Sequence, residues 1–335
     1  MKTKFTPSVN ILRDAQRDLE YIVTPNAQQI ANLVYSDYQK GIHSFTLIGS
    51  YGTGKSSFLM AFDTALRGDG ELKIEGIGKA KTIQSFRIVG QFQSLIAYFE
   101  EHFDISSNYE GSQKIFDHLF QMSEASDLLV IYLDEFGKFL EYAAKFNPEK
   151  ELYFLQQLAE FVNDHSRNIV LISTLHQNFE AYASNDLSSA QKREWKKVRG
   201  RFKELTFNEP VEQLLYLASE KLKSNGKKGK DFLDLAIAKN LLPFSSSSLD
   251  ALRTSLAPLD IISAAVLTKA LQQYGQNERS LFTFLESDIQ SEAWADVAVV
   301  YDYLLNSFYS NLNSSYNSHY RHWQAMQAGV ERAEF

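Results

Sequence analysis

Apolar residues recur along this chain in two rhythms. Short, nearly uninterrupted runs rich in β-branched and aromatic residues occur at Ser44–Ile48, Phe86–Val89, Leu128–Leu133 and Asn168–Ser173. Polar or glycine-containing residues follow each run, and then apolar positions spaced three and four apart, which is how buried parallel strands followed by helices read. Lys55–Arg67 places Phe58, Leu59, Phe62 and Leu66 on one helical face before Gly68 and Gly70. Glu149–Val162 does the same with Leu152, Leu155, Leu158 and Phe161. Strand alternating with amphipathic helix predicts an α/β fold, a three-layer sandwich around a parallel sheet.

The two ends depart from this rhythm. Residues 1–43 read as a leading arm and one helix, Asn26–Gln39, that delivers the chain to the first strand. After Pro210 strand signals stop, and helical patterns occupy Val211–Lys223, Phe232–Lys239, Ile261–Tyr274 and Leu281–Leu285. A Lys/Gly tract (Lys223–Lys230) and a serine run (Ser245–Ser248) break them and read as solvated loops. The expected division is a core over 1–209, a helical lid over 210–290 and a Tyr/Asn-rich helical segment over 291–335. Its aromatic residues Tyr301, Tyr303, Phe308, Tyr309 and Trp323 read as packing or subunit contact. The pattern from Tyr316 to Phe335 stops inside a helix, so the chain can be the front of something longer.

Composition sharpens this in three ways. Hydrophobic residues make up 44% of the 335 and aromatics 13%, ample for a packed core and unlike a disordered chain. The net charge of -7 argues against a surface that is basic all over and turns attention to local clusters. The absence of cysteine excludes disulfides, thiolate zinc sites and cysteine nucleophiles. No apolar run has the length of a secretory signal or a membrane span, so a cytoplasmic protein with no membrane partner is expected.

Gly49-Ser50-Tyr51-Gly52-Thr53-Gly54-Lys55-Ser56, with Ser57 after it, fits G-x-x-x-x-G-K-[ST] between a predicted strand and a predicted helix. The glycines let backbone N–H groups turn inward around phosphate oxygens, and the helix N-terminus adds positive potential. Lys55 reaches the β- and γ-phosphates, and the Ser56 hydroxyl ligates Mg²⁺; ATP with Mg²⁺ is the expected ligand. The strand Leu128–Leu133 then runs into Asp134-Glu135. A buried strand delivers both carboxylates to the sheet's C-terminal edge. Asp134 is expected in the Mg²⁺ shell, and Glu135 is expected to polarise the attacking water. The next strand ends among Ser173, Thr174, His176 and Gln177, any of which can sense a γ-phosphate. No zinc-spaced histidine pair, G-x-S-x-G or LSGGQ-like signature accompanies these motifs, which leaves nuclease, protease and membrane-transport readings without support.

Taken in order, these elements resemble the AAA+ ATPases, in particular the branch of origin-recognition proteins and STAND-type switches. Val198-Arg-Gly-Arg-Phe202, leading to Leu205-Thr-Phe207, looks like that branch's arginine-bearing box. Gly275-Gln-Asn-Glu-Arg-Ser-Leu281 looks like the lid motif, whose arginine is here Arg279. Tyr21-Ile-Val-Thr-Pro25 occupies the place of the adenine-pocket lining. Leu175-His-Gln-Asn178 departs from the branch's commoner sensor pattern. With Glu194-Trp195 and Gly275–Phe282, it looks like ATPase subunits of bacterial anti-phage and DNA-processing operons. The likeness covers about residues 1–290.

The resemblance implies an ATP hydrolase that drives assembly or remodelling of a protein or DNA partner, as a homo-oligomer or hetero-assembly. Arg199 or Arg201 then completes a neighbouring subunit's site as an arginine finger, and Arg279 contacts the nucleotide. A nucleotide-gated switch with slow turnover is the first alternative. A DNA-binding scaffold is the second, resting on Lys192, Arg193, Lys196, Lys197, Arg199, Arg201 and Lys203, which also read simply as a solvated basic helix face.

Overall fold

In this computed structural model, the described residues are 9–17, 21–74, 82–105, 111–183, 187–207, 211–222, 256, 258–274, 277–286, 295–315 and 317–333. The chain forms two compact units, residues 1–208 and 209–335.

The first unit is built on five parallel strands: β1 (Ser44–Ile48), β2 (Ile83–Val89), β3 (Leu128–Asp134), β4 (Ile169–Leu175) and β5 (Lys203–Thr206), in the order β2-β3-β4-β1-β5. Helices α1 (Pro25–Tyr38) and α2 (Lys55–Leu66) cover one face. Helices α3 (Leu95–His102), α4 (Gly111–Glu124), α5 (Gly137–Lys145), α6 (Pro148–Val162) and α7 (Ser189–Arg199) cover the other. Side-chain alternation explains why the strands read as unbroken apolar runs. Leu129, Ile131 and Leu133 enter the core under α3 to α7, whereas Leu128, Val130 and Tyr132 enter the core under α1 and α2. The predicted three-layer α/β sandwich is the observed one.

Local chemistry sets the helix ends. Thr24 caps α1 by accepting the Ala27 N–H at 3.1 Å, and Pro25 opens that helix. Ser188 and Gln191 close a capping box at the start of α7. The apolar rhythm does not mark α3 or α7. The former has eight residues, and the latter buries only Trp195 and Val198.

Among the described residues of the second unit the elements are helices: Val211–Leu222, Ile261–Tyr274, Asn277–Glu286, Val297–Leu312 and Tyr320–Ala333. An isolated parallel bridge joins Leu259 to Ala295, and the Tyr303 hydroxyl donates to the Ser280 carbonyl at 2.9 Å. These contacts tie the segment after residue 291 to the helices expected to form the lid. The helical pattern Phe232–Lys239, the Lys/Gly tract and the serine run lie outside the described residues.

Candidate active site

Strand order decides where the chemistry gathers. The connection leaving β1 travels by α2 over one face toward β2, and the connection leaving β4 travels by α7 over the other face to β5. Neighbouring strands whose connections part to opposite faces leave a crevice at their C-terminal ends, where ligands of open α/β sheets bind. The segment Gly49–Gly54 follows β1 into that crevice, and Leu175–Gln177 enters it from β4.

Gly52 and Gly54 adopt φ of 72° and 77°, the left-handed region that turns successive N–H groups inward. Gly49 meets a different demand: a Cβ there would lie 2.0 Å from the Phe207 carbonyl oxygen, beyond the end of β5. Lys55 is buried in the first turn of α2, and its ammonium donates to the carbonyls of Gly49 at 2.6 Å and Ser50 at 2.8 Å. Thr53 Oγ donates to Ser50 O at 3.0 Å and tightens the same bend. Ser56 and Ser57 follow in that turn, half-buried. The bend thus holds a buried ammonium against its own carbonyls at the start of α2.

The acidic tip is built with equal economy. Asp134 ends β3, buried, and its Oδ1 accepts the Thr174 hydroxyl at 2.6 Å and the Glu135 N–H at 3.1 Å. Both bonds go to one oxygen, which leaves Oδ2 for a cation. Thr174 Oγ also accepts the Glu135 N–H at 3.0 Å, so one β4 hydroxyl clamps both acidic residues. Glu135 stands at φ 52°, a strained conformation for a side-chain-bearing residue. Partial burial, first, and the neighbouring Asp134, second, raise its pKa above the usual carboxylate range, while Lys138 and Lys55 oppose the rise. The Lys55 charge therefore reaches Glu135.

Among the described residues no cluster of three or more His, Asp or Glu could cage a metal. A hydroxyl and one carboxylate suit Mg²⁺, which keeps waters and takes its remaining ligands from phosphates.

Gly90 braces the acidic tip, and motif reading missed it. Its N–H donates to the Asp134 carbonyl at 2.7 Å, and a Cβ on it would lie 2.0 Å from the Glu135 carbonyl oxygen. The sign in the sequence is a glycine directly after a strand. Gly90→Ala is expected to push the acidic tip out of register and lower thermal stability by about 1–3 kcal/mol. Gly329→Ala, with open space around it, should be near neutral in the same melts. Equal melting of the two variants would show that the tip tolerates the methyl.

The four sensor candidates separate. Ser173 lies inside β4 rather than beyond it, hydrogen-bonded to Thr46 Oγ at 2.8 Å and Phe45 O at 3.1 Å, and is absorbed by the sheet. Thr174 is occupied with the acidic pair. Gln177 is exposed. His176 stacks on Tyr51 of the phosphate loop, ring centroids 3.5 Å apart.

The remaining site residues stand elsewhere. Arg199 is held by Glu204 (2.9 Å through both Nε and an Nη) and by Glu180 at 2.9 Å. Arg201 donates to Glu160 at 2.9 Å, and its carbonyl accepts the Ser44 hydroxyl at 2.6 Å, at the start of β1 rather than its phosphate-loop end. Lys197 pairs with Glu194 and Lys203 with Asp37, so at least four of the seven cations in 192–203 have carboxylate partners. Lys196, Lys197 and Arg199 also occupy the last turn of α7, where cations offset the helix dipole. Thr24 serves as a helix cap, and Tyr21 and Val23 pack on the α1/α2 side of the core. Arg279 belongs to the helix Asn277–Glu286, but its side chain lies outside the described residues.

No family model matches this chain, and no curated protein matches it. Among solved structures it is similar to the ORC2 protein of Aeropyrum pernix in ADPNP-ADP complexes. The TM-score is 0.46 at 12% identity, covering 85% of this chain and 70% of that one. It is also similar to Drosophila ORC bound to DNA, at 0.44 and 11%, covering 87% and 67%. A Walker-type ATPase of Pyrococcus abyssi gives 0.39 and 12%, covering 83% and 71%.

Proposed function

We propose that this protein is an AAA+-type ATPase that binds ATP with Mg²⁺ and hydrolyses it to drive assembly or remodelling of a protein or DNA partner. Anti-phage defence is the setting that its motifs suggest. The observation that carries the reading is the junction at the ends of β1, β4 and β3. There the glycine cradle with Lys55 faces an acidic pair clamped by Thr174.

The N–H groups of Gly49–Ser57 hold the phosphate tail, and Lys55 exchanges loop carbonyls for phosphate oxygens. Ser56 and Asp134 hold Mg²⁺, which when bound neutralises phosphate charge. Glu135 orients water and accepts its proton; a carboxyl raised by burial is a better base than an ordinary one. Thr174 is a positioning residue that fixes the direction of both carboxylates.

Arg199 or Arg201 is assigned to a neighbouring subunit's phosphate. Exposed ion pairs are worth about 0–1 kcal/mol, so exchanging Glu160 for a phosphate costs Arg201 little, whereas Arg199 must leave both Glu180 and its half-buried bidentate partner Glu204. Mg²⁺-dependent phosphate release is therefore expected to rise in specific activity with protein concentration. Arg199→Ala or Arg201→Ala should flatten that rise, with a loss on the order of 10³-fold for the true finger. Activity independent of concentration would favour a solitary nucleotide-gated switch instead, and absence of Mg²⁺-dependent release would sink the hydrolase.

A further inference from the structure

A polar network beneath the acidic tip takes no part in the scheme above. Asp63 lies two turns along α2 from Ser56, so the two side chains share one face of the helix, about 10 Å apart along its axis. Asp63 is buried, and the edge strand of the sheet reaches it: Arg87 of β2 donates to its Oδ2 at 2.6 Å, and the Ser85 hydroxyl donates to its Oδ1. Arg67, just beyond the last turn of α2, donates to Ser85 Oγ at 2.6 Å and to the Ile83 carbonyl at 2.9 Å. Its own contact with Asp63 is looser, at 3.4 Å.

Register ties this network to the acidic tip. Arg87 pairs with Tyr132 of β3 and Val89 pairs with Asp134, so the arginine stands one same-face step below the carboxylate. Helix α2 leaves β1, yet Asp63 grips β2, on the far side of β4 and β3 in the sheet order. The pair therefore clamps the helix that carries Ser56 across the strand that carries Asp134. Apolar packing is non-directional, whereas an ion pair largely withdrawn from water fixes both distance and direction. Mg²⁺ demands short, near-octahedral contacts, so a small slide of α2 over β3 matters to it more than to a phosphate held by backbone N–H groups.

We propose that the Asp63–Arg87 pair is a strut that fixes α2 against β2 and β3 at the spacing at which Ser56 and Asp134 share one Mg²⁺. Both are positioning residues, acting through the helix and the sheet. Lys55 and the glycine-rich bend hold phosphate from within one short segment and need no strut. The pair therefore governs the part of nucleotide affinity that depends on metal and leaves the metal-free part alone. The inference rests on the ATP and Mg²⁺ reading above, and its test is chosen to fail separately.

The experiment measures Kd for a slowly hydrolysed ATP analogue by calorimetry, with excess Mg²⁺ and with EDTA, on wild type and Arg87→Met. Methionine keeps the apolar stem and removes the charge. The affinity gained from Mg²⁺ is expected to fall about tenfold in the variant, the low end of what loss of a supporting partner does to a metal site, with affinity in EDTA unchanged. Arg87→Lys, which still offers Asp63 a cation, should recover most of the gain. Asp14→Asn controls for lost stability alone: Asp14 is buried and paired with Arg13 and Arg17, so its variant should melt earlier and keep the full Mg²⁺ gain. Should Arg87→Met not fold, Ser85→Ala removes only the hydroxyl on Asp63 and is read in the same way, with an expected loss of about threefold. An unchanged Mg²⁺ gain in the variant that folds, or an equal loss in Asp14→Asn, overturns the strut and leaves nucleotide binding standing. A wild type that binds the analogue no better with Mg²⁺ than with EDTA, or not at all, overturns the reading beneath it.

Discussion

Lys55→Ala is expected to abolish measurable nucleotide binding, with affinity for ATP falling by 100-fold or more. Lys55 is the cation of the glycine-rich bend after β1, buried, and bonded to the carbonyls of Gly49 and Ser50. A buried ammonium forms far stronger contacts with phosphate than an exposed one, since local dielectric and screening are both lower. The same bonds predict a second effect. Removing the ammonium leaves two loop carbonyls without their donor, so the loop should loosen even without nucleotide. Titration calorimetry with ATP and with ADP measures the first effect, and hydrogen exchange over residues 49–54 measures the second. Retention of ATP affinity within threefold of wild type would show that the cradle is not the nucleotide site.

Glu135→Gln should behave in the opposite manner, with ATP bound as tightly as in wild type or more so and turnover lowered by about 10²–10⁴-fold. The amide keeps the size and the backbone position that Asp134 and Thr174 enforce through the Glu135 N–H. What it loses is the ability to accept a proton. Pairing Kd with single-turnover hydrolysis separates the two effects. The variant should also trap any assembly that depends on ATP, raising the solution mass in its presence. Equal turnover in wild type and variant would move the base elsewhere.

Much of this site was legible because it depends on residues close together in the chain. A cradle made of backbone N–H groups needs glycine at positions of positive φ and a lysine at the very start of the next helix, and Gly52, Gly54 and Lys55 meet that need within four residues. The acidic pair announced itself because a strand buried on both faces is apolar throughout, so two carboxylates at its end stand out. The same reasoning fails for Gly90, whose need for a missing Cβ comes from Glu135, forty-five residues later. It fails for Thr174 too. A threonine at a strand end looks the same whether it senses phosphate or clamps a neighbouring strand's carboxylates.

The arginines show the limit from the other side. Their spacing before a short strand was readable, but Glu160, Glu180 and Glu204 were not visible as partners, since three separate elements bring them together. At least four of the seven cations in that cluster turn out to be paired, so a run of positive charge in the sequence is much less positive in space.

By itself, then, the sequence determined the alternation of strand and helix, the glycine-rich bend entering the first core helix and the acidic strand end, because local backbone geometry and two-sided burial leave their marks at short range. Only the tertiary structure decided that β1 lies beside β4 with β3 next, which brings loop, hydroxyl and carboxylates to one crevice and lays Tyr51 on His176. Strand order is a property of crossovers spanning tens of residues, and no periodicity within a strand encodes which neighbour it will take.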